Sequence, residues 1–186
     1  SFSFPEEGEG FIKIMRTKDR QHGTFALFEV ISKVAALMKA TFPSSERLQL
    51  GDISGAGGGK ISGHASHQNG LDIDIAYFRN NHREMDPNRG EVFDESFVTT
   101  RGVSRNFDLQ RNWTLFQMLI QTGRVGRIFV DQKIKKAVCT YVKARGFTTS
   151  AIETLRRLRP LGFHNDHLHV RVACPVTSAG CINQED

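Results

Sequence analysis

Five of the seven histidines fall in two short clusters far apart in the chain, Gly63–Asp74 (GHASHQNGLDID) and His164–His169 (HNDHLH). Imidazole is the commonest protein ligand for zinc and a ready proton carrier near neutral pH. Scattered histidines carry no such message. Two clusters, one of them rich in carboxylates, predict a site that only the fold can close. They also constrain the fold, because a late segment must come to lie beside an early one.

The local pattern agrees. Gly70 to Tyr77 alternates, with Leu71, Ile73 and Ile75 on one face and Asp72, Asp74 and Ala76 on the other. Phe163 to Cys174 alternates too, setting His167, His169, Arg171 and Ala173 opposite Leu168, Val170 and Val172. Each predicted strand therefore carries its chemistry on one face. Between and around them, apolar periodicity predicts a helix from Thr24 to Phe42, ended by Pro43, and another over Asn112–Thr122, closed by Gly123. A third starts at Asp131 and runs toward Gly146. Ser150-x-x-Glu153 reads as the capping box of a fourth, which stops before Pro160. Arg47–Ile53 and Arg127–Val130 read as strands. Ser54–Gly63 is a glycine-rich loop, and not a phosphate-binding one, since Gly59-Lys60 is followed by Ile61. Arg79–Asn106 is polar and irregular, an insertion near the site. With no βαβ rhythm, the fold class is α+β: a small, mainly antiparallel sheet flanked by helices.

A chain of 186 residues with 39% hydrophobic and 24% charged residues has room for one sizeable core, and residues 1–186 are read as a single domain. No apolar run approaches the roughly 20 residues that span a bilayer, so no transmembrane segment is expected. The chain begins Ser1-Phe2-Ser3-Phe4-Pro5 with neither a methionine nor a signal-peptide pattern, as a processed or trimmed chain would. The net charge of +5 and pI of about 9.3 suit an anionic partner. The densest basic group, Arg156-Arg157-Leu158-Arg159, reads equally well as a solvated helix face, so nucleic acid is not the expected partner. Cys174 and Cys181 bracket a short Pro- and Gly-containing segment that a local disulfide could close in an oxidising compartment. Cys139 is read as a buried free thiol. No Cys-x-x-Cys pair offers a structural zinc knuckle.

His67 and Asp74 are separated by a turn at Asn69-Gly70, and one histidine of the His167-x-His169 pair can join them. Three protein ligands with a free position is the arrangement of catalytic zinc, whereas structural zinc is closed by four. His22 and His82 are read as surface residues.

The motifs Gly63-His64-Ala65-Ser66-His67-Gln68-x-Gly70-Leu71-Asp72-x-Asp74 and His164-x-x-His167-x-His169-Val170-Arg171 resemble those of the penicillin-insensitive murein endopeptidases, part of the wider lysostaphin, D-Ala-D-Ala peptidase and hedgehog-type zinc peptidase group. The resemblance runs from about residue 50 to 181, taking in Gly51-Asp52, Arg127–Val130, Ile134–Cys139 and Cys174-Pro175, and is weakest through 79–110. It implies Zn2+ held by His67, Asp74 and His169, with His167 as catalytic base and His164 lining the site as a second catalytic residue that orients His167 or stabilises the oxyanion. His64 and Asp72 would support the ligands from behind or hold a second metal. It implies an endopeptidase acting on peptidoglycan cross-links, typically the D-alanyl–meso-diaminopimelyl bond, in the periplasm or outside the cell. Arg171, on the histidine face, suits either a substrate carboxylate or a structural pair.

Two other classes compete. A zinc-containing wall-binding protein would not need His167. A metal nuclease would leave the first cluster without a role. Within the peptidase reading, L,D cross-links and the L-Ala–D-Glu bond are alternatives, because loops set specificity. No Ser-x-x-Lys or His-Glu-x-x-His motif is present, so no serine nucleophile is available for a β-lactam to acylate.

Overall fold

The computed structural model describes residues 2–183. In chain order the elements are β1 (Phe2–Ser3), β2 (Glu7–Gly8), β3 (Phe11–Lys13), β4 (His22–Gly23), α1 (Phe25–Thr41), β5 (Leu48–Leu50), β6 (Asp72–Ala76), β7 (Val98–Thr99), β8 (Gly102–Val103), α2 (Leu109–Gln121), β9 (Val125–Val130), α3 (Gln132–Lys143), α4 (Thr149–Arg157), β10 (Leu158–Pro160) and β11 (His167–Val172). The main sheet has the order β10-β9-β11-β6-β5-β3-β2. Four of its six pairings are antiparallel; β10 on β9 and β3 on β5 are parallel. The α+β reading holds.

The two histidine-bearing segments meet at the centre of this sheet. β11 pairs antiparallel with β6, which sets His169 opposite Asp74 and Arg171 opposite Asp72. On its other side β11 pairs with β9, setting His169 opposite Phe129 and Arg171 opposite Arg127. Because side chains alternate along a strand, all of these share one face. The opposite face carries Ile73, Ile75, Ile128, Leu168 and Val170, buried with Leu27, Ile31 and Val34 of α1, Leu115, Phe116 and Leu119 of α2, and Ile134 and Val138 of α3. Each such side chain contributes about 1.5–3 kcal/mol when fully buried. The helices thus cover the apolar face and leave the polar one to loops.

Side chains start the helices: Thr24 accepts from Leu27 N, Asp108 from Arg111 N and Asp131 from Lys133 N. The fourth helix corrects the sequence reading. Its cap is Thr148, whose hydroxyl accepts from Ala151 N at 3.1 Å, and Ser150 lies inside the first turn. Glu153 pairs with Arg156 and Arg157 at 2.8 and 2.7 Å instead of returning to the cap. The Leu158–Pro160 strand was not anticipated, nor were the four short N-terminal strands. Cys174 and Cys181 form a disulfide; Cys139 is free and half-buried rather than buried.

Gly70 is where the first cluster turns into β6. Its φ is +70°, and a β-carbon there would lie 2.8 Å from Gly23 Cα and 2.9 Å from the Gly23 carbonyl carbon. Backbone cannot yield as a side chain can. Gly70→Ala is expected to cost about 2–4 kcal/mol, from left-handed strain plus overpacking, read as a lower urea midpoint at unchanged slope.

Candidate metal centre

His67 sits on the loop entering β6 with φ +62°, a conformation unusual for a non-glycine residue. Its ring is fully buried, and Nδ1 donates to the Ile53 carbonyl at 2.8 Å, so the lone pair of the neutral ring is on Nε2. His169 is oriented the other way: Nε2 donates to Asp72 Oδ1 at 2.9 Å, leaving the lone pair on Nδ1. Those two nitrogens face each other at 3.2 Å. Asp74 Oδ1 lies 3.2 Å from His67 Nε2 and 3.5 Å from His169 Nδ1, and it is buried without a hydrogen-bond partner.

Two lone pairs and a carboxylate oxygen at this spacing repel unless a proton or a cation lies among them. A tetrahedral ion with bonds of about 2.0–2.1 Å has ligand-to-ligand edges of roughly 3.3 Å, close to the triangle found. Calcium prefers an all-oxygen shell with longer bonds, which this donor set does not offer. The residues therefore fit a zinc-like ion. His64, His67 and Asp74 also bring ligand atoms within 4.8 Å of one another, but that is a looser grouping than His67–Asp74–His169.

The electrostatics point the same way. Burial pushes the Asp74 carboxyl up, but the adjoining rings of His67, His167 and His169 outweigh it and hold it well below the usual range. Burial lowers the His67 pKa, and the Asp74 carboxylate 3.2 Å from its Nε2 more than reverses this, raising it. A field that draws a proton onto His67 is equally available to a dication.

His167 and His164 border the triangle. His167 Nδ1 is fixed by Asp166 Oδ1 at 2.5 Å, its ring stacks on Phe93 with centroids 4.7 Å apart, and its Nε2 lies 3.6 Å from Asp74 Oδ1. The ring is thus held from two sides with its free nitrogen toward the site. His164 Nδ1 donates to Gly162 O at 2.7 Å, so its Nε2 is an acceptor. Burial lowers its pKa, which favours the neutral ring. Asp166, not His164, orients His167.

Behind the triangle, Asp52 Oδ2 takes His64 Nε2 at 3.1 Å, Lys18 at 3.1 Å and Arg20 at 2.9 Å. Asp72 takes Arg171 Nη1 at 2.8 and 2.9 Å. Second partners of this kind fix the orientation of a metal-binding histidine.

All the candidates from the sequence converge. His64, Asp72, Asp74, His164, His167, His169 and Arg171 line one cleft of about 500 Å³, and His67 lies just beneath. A larger cavity of about 590 Å³ between α3 and the β7–β8 turn holds no histidine or carboxylate, so chemistry rather than volume selects the cleft. Sequence reasoning assigned no role to Asp52, Phe93 or Phe129. The segment it set aside as an insertion supports the site: Phe93 stacks on His167, Phe97 N donates to Asn165 O at 2.7 Å, and Asn165 Nδ2 donates to Ser96 Oγ at 2.7 Å.

An α+β sheet presenting a buried His–Asp–His triangle beside a fixed, free-nitrogen histidine defines a candidate metal-dependent hydrolase. The family model for penicillin-insensitive murein endopeptidase matches residues 1–186, and the chain belongs to that family. Relatives named penicillin-insensitive murein endopeptidase include those of Haemophilus influenzae, 32% identical over 98% of this chain and 62% of the relative. That of Pectobacterium atrosepticum is 32% identical over 94% and 60%, and that of Escherichia coli O157:H7 is 29% identical over 98% and 65%. The chain thus spans under two thirds of the length of these relatives. No helix among the described residues is long and apolar enough to cross a membrane.

Proposed function

We propose that this protein is a zinc-dependent peptidoglycan endopeptidase that hydrolyses peptide cross-links, the D-alanyl–meso-diaminopimelyl bond first among them, in the periplasm or outside the cell. The observation that carries the reading is the triangle of His67 Nε2, His169 Nδ1 and Asp74 Oδ1, with His167 Nε2 at its border. The names of the relatives supply the substrate class. The disulfide suits an oxidising compartment.

His67, Asp74 and His169 would hold the ion. Zinc at such a site polarises a carbonyl and lowers the pKa of water toward about 7. His167 accepts the water proton at Nε2, because Asp166 keeps the other proton on Nδ1. It then returns that proton to the leaving amine. His164 offers Nε2 as an acceptor to water or to a substrate N–H within the cleft. Asp72 holds His169 in its ligating tautomer, and Arg171 holds Asp72. Asp52 anchors His64, the wall of the cleft. No covalent intermediate with the protein is needed, so β-lactams would find nothing to acylate.

Mass spectrometry of purified cross-linked peptidoglycan after incubation with zinc-loaded protein tests this. Conversion of dimeric to monomeric muropeptides is expected, with fragment masses naming the bond, and none after chelation. Unchanged dimers in the zinc-loaded sample would sink the endopeptidase reading.

A further inference from the structure

An enzyme that cuts inside a cross-link must hold peptide on both sides of the bond it breaks. The cleft of about 500 Å³ supplies one side. A second cavity, of about 350 Å³, adjoins it, because Gly63, His64, Asp74, Phe163 and His167 line both. Asp74 of the triangle and His167 therefore stand at the junction of two lobes. Val92 and Phe93 also line the second lobe.

The residues around that junction are unusual in two ways. Phe163 is 94% exposed and Val92 is 72% exposed. Phe163 also has φ +64°, a conformation disfavoured for a bulky side chain, although Gly162 beside it could take such a φ without steric cost. The turn is pinned from both ends. Leu161 N donates to Val130 O at 2.9 Å, and His164 Nδ1 donates to Gly162 O at 2.7 Å. His164 O accepts from Asp131 N at 3.2 Å and from the Tyr77 hydroxyl at 3.1 Å. Strain of this kind persists only where the surroundings over-determine it, and it clusters at functional sites. Among the described residues, the others with positive φ that are not glycine are Met15, His67 and His82. Met15 lines the second lobe, and His67 is a corner of the triangle. The fold thus holds a phenyl ring in water, in a strained turn, where the two lobes meet.

We propose that Phe163 is a substrate-binding residue whose ring packs on an aliphatic part of one peptide arm of the cross-link, seated in the second lobe with Val92 and Phe93. This rests on the endopeptidase reading and deepens it, by giving the second arm of the substrate a place. The occupant is substrate, not a second copy of the chain, because the ring borders the lobe that opens on His167 and Asp74. A cross-linked stem peptide offers methyl groups and the alkyl stem of its diamino acid for that contact.

The test uses Phe163→Asn. Asparagine accepts left-handed backbone more readily than phenylalanine, so the variant removes the ring and relieves the turn. Val92→Ser probes the same lobe. Phe147→Ala is the control, since Phe147 is exposed and lines neither lobe. The probe is a synthetic cross-linked peptide containing the D-alanyl–meso-diaminopimelyl bond. Hydrolysis is followed on the zinc-loaded proteins, and binding by calorimetry on the metal-stripped proteins, which do not turn over. Phe163→Asn is expected to raise KM and Kd about tenfold or more, with kcat nearly unchanged and Tm unchanged or higher. Val92→Ser should weaken binding by a smaller factor, and Phe147→Ala should not weaken it. Tm separates a binding role from a structural one, because a ring that supported the fold would lower Tm when removed. A lower Tm, an unchanged Kd or a loss confined to kcat in Phe163→Asn would overturn the proposal. So would an unaffected Val92→Ser, equal weakening by the control, or a wild type that binds no peptide. A dimer that Phe163→Asn converts to monomer in sedimentation would assign the ring to a second copy and overturn it too. Absence of hydrolysis by wild type would count against the endopeptidase reading, and calorimetry would still decide the role of Phe163.

Discussion

His167→Ala is expected to lower kcat/KM on cross-linked muropeptides by about 10²–10⁴-fold, the range typical of a positioned general base, while bound zinc stays stoichiometric. The two halves of this result come from different geometry. The triangle of His67, His169 and Asp74 is closed at 3.2, 3.2 and 3.5 Å without His167. His167 stands outside it, with Nε2 3.6 Å from the shared Asp74 oxygen and Nδ1 engaged by Asp166. Removing the ring therefore deletes an acceptor for the water proton and leaves the donor set whole. The stack on Phe93 adds a control, since Phe93→Ala removes a support of the ring and none of its nitrogens. That variant should lose less activity than His167→Ala. Metal content measured beside turnover makes the outcome decisive. Loss of zinc together with activity would make His167 a ligand, and a fall of less than tenfold would remove it from proton transfer.

The chemistry of the site was legible because it is written in the shortest-range code a chain has. Period-two alternation put Asp72 and Asp74 on one face and His167, His169 and Arg171 on another, and strand pairing had only to bring those faces together. The helices were legible for a related reason: Asp131 and Thr24 announce their starts locally. The fourth helix shows the limit. Thr148 and Ser150 are both able to cap, and only the backbone conformation, extended at Thr148, selects between them. The parallel pairings of β3 with β5 and of β10 with β9 join short strands with no periodic signature. What orients the site was least legible. That Ile53 takes His67 Nδ1 while Asp72 takes His169 Nε2 depends on where a carbonyl and a carboxylate fall in space, yet it decides which nitrogens face inward. Phe93 lies in a polar irregular stretch, and nothing in its spacing points at His167.

Asp74 and Asp72 are two residues apart on one strand face, and their substitutions should separate cleanly. Among the described residues, Asp72 hydrogen-bonds to His169 and Arg171 and stands one strand position pair away from the triangle. Loss of such an outer partner typically costs 10–100-fold in metal affinity, and Asp72→Asn is expected to fall in that range while still binding zinc. Asp74 contributes the oxygen on which His67 and His169 converge, and no hydrogen bond satisfies it. Its charge is also what offsets gathering these imidazoles around a dication. Asp74→Asn keeps the shape, removes that charge and places an amide against ring nitrogens; zinc affinity should fall by more than 100-fold, taking turnover with it. Competition against a chromogenic chelator measures both variants on one scale. The thermal shift produced by added zinc gives a second reading, because an ion that binds only the folded protein raises its stability in proportion to the logarithm of its concentration over Kd. Wild type should show the largest shift, Asp72→Asn a reduced one and Asp74→Asn almost none at the same zinc concentration. Equal losses in the two variants would mean that both carboxylates bind the ion directly. A larger loss at Asp72 would move the centre of the site away from the His67–Asp74–His169 triangle and toward the Arg171 end of the cleft.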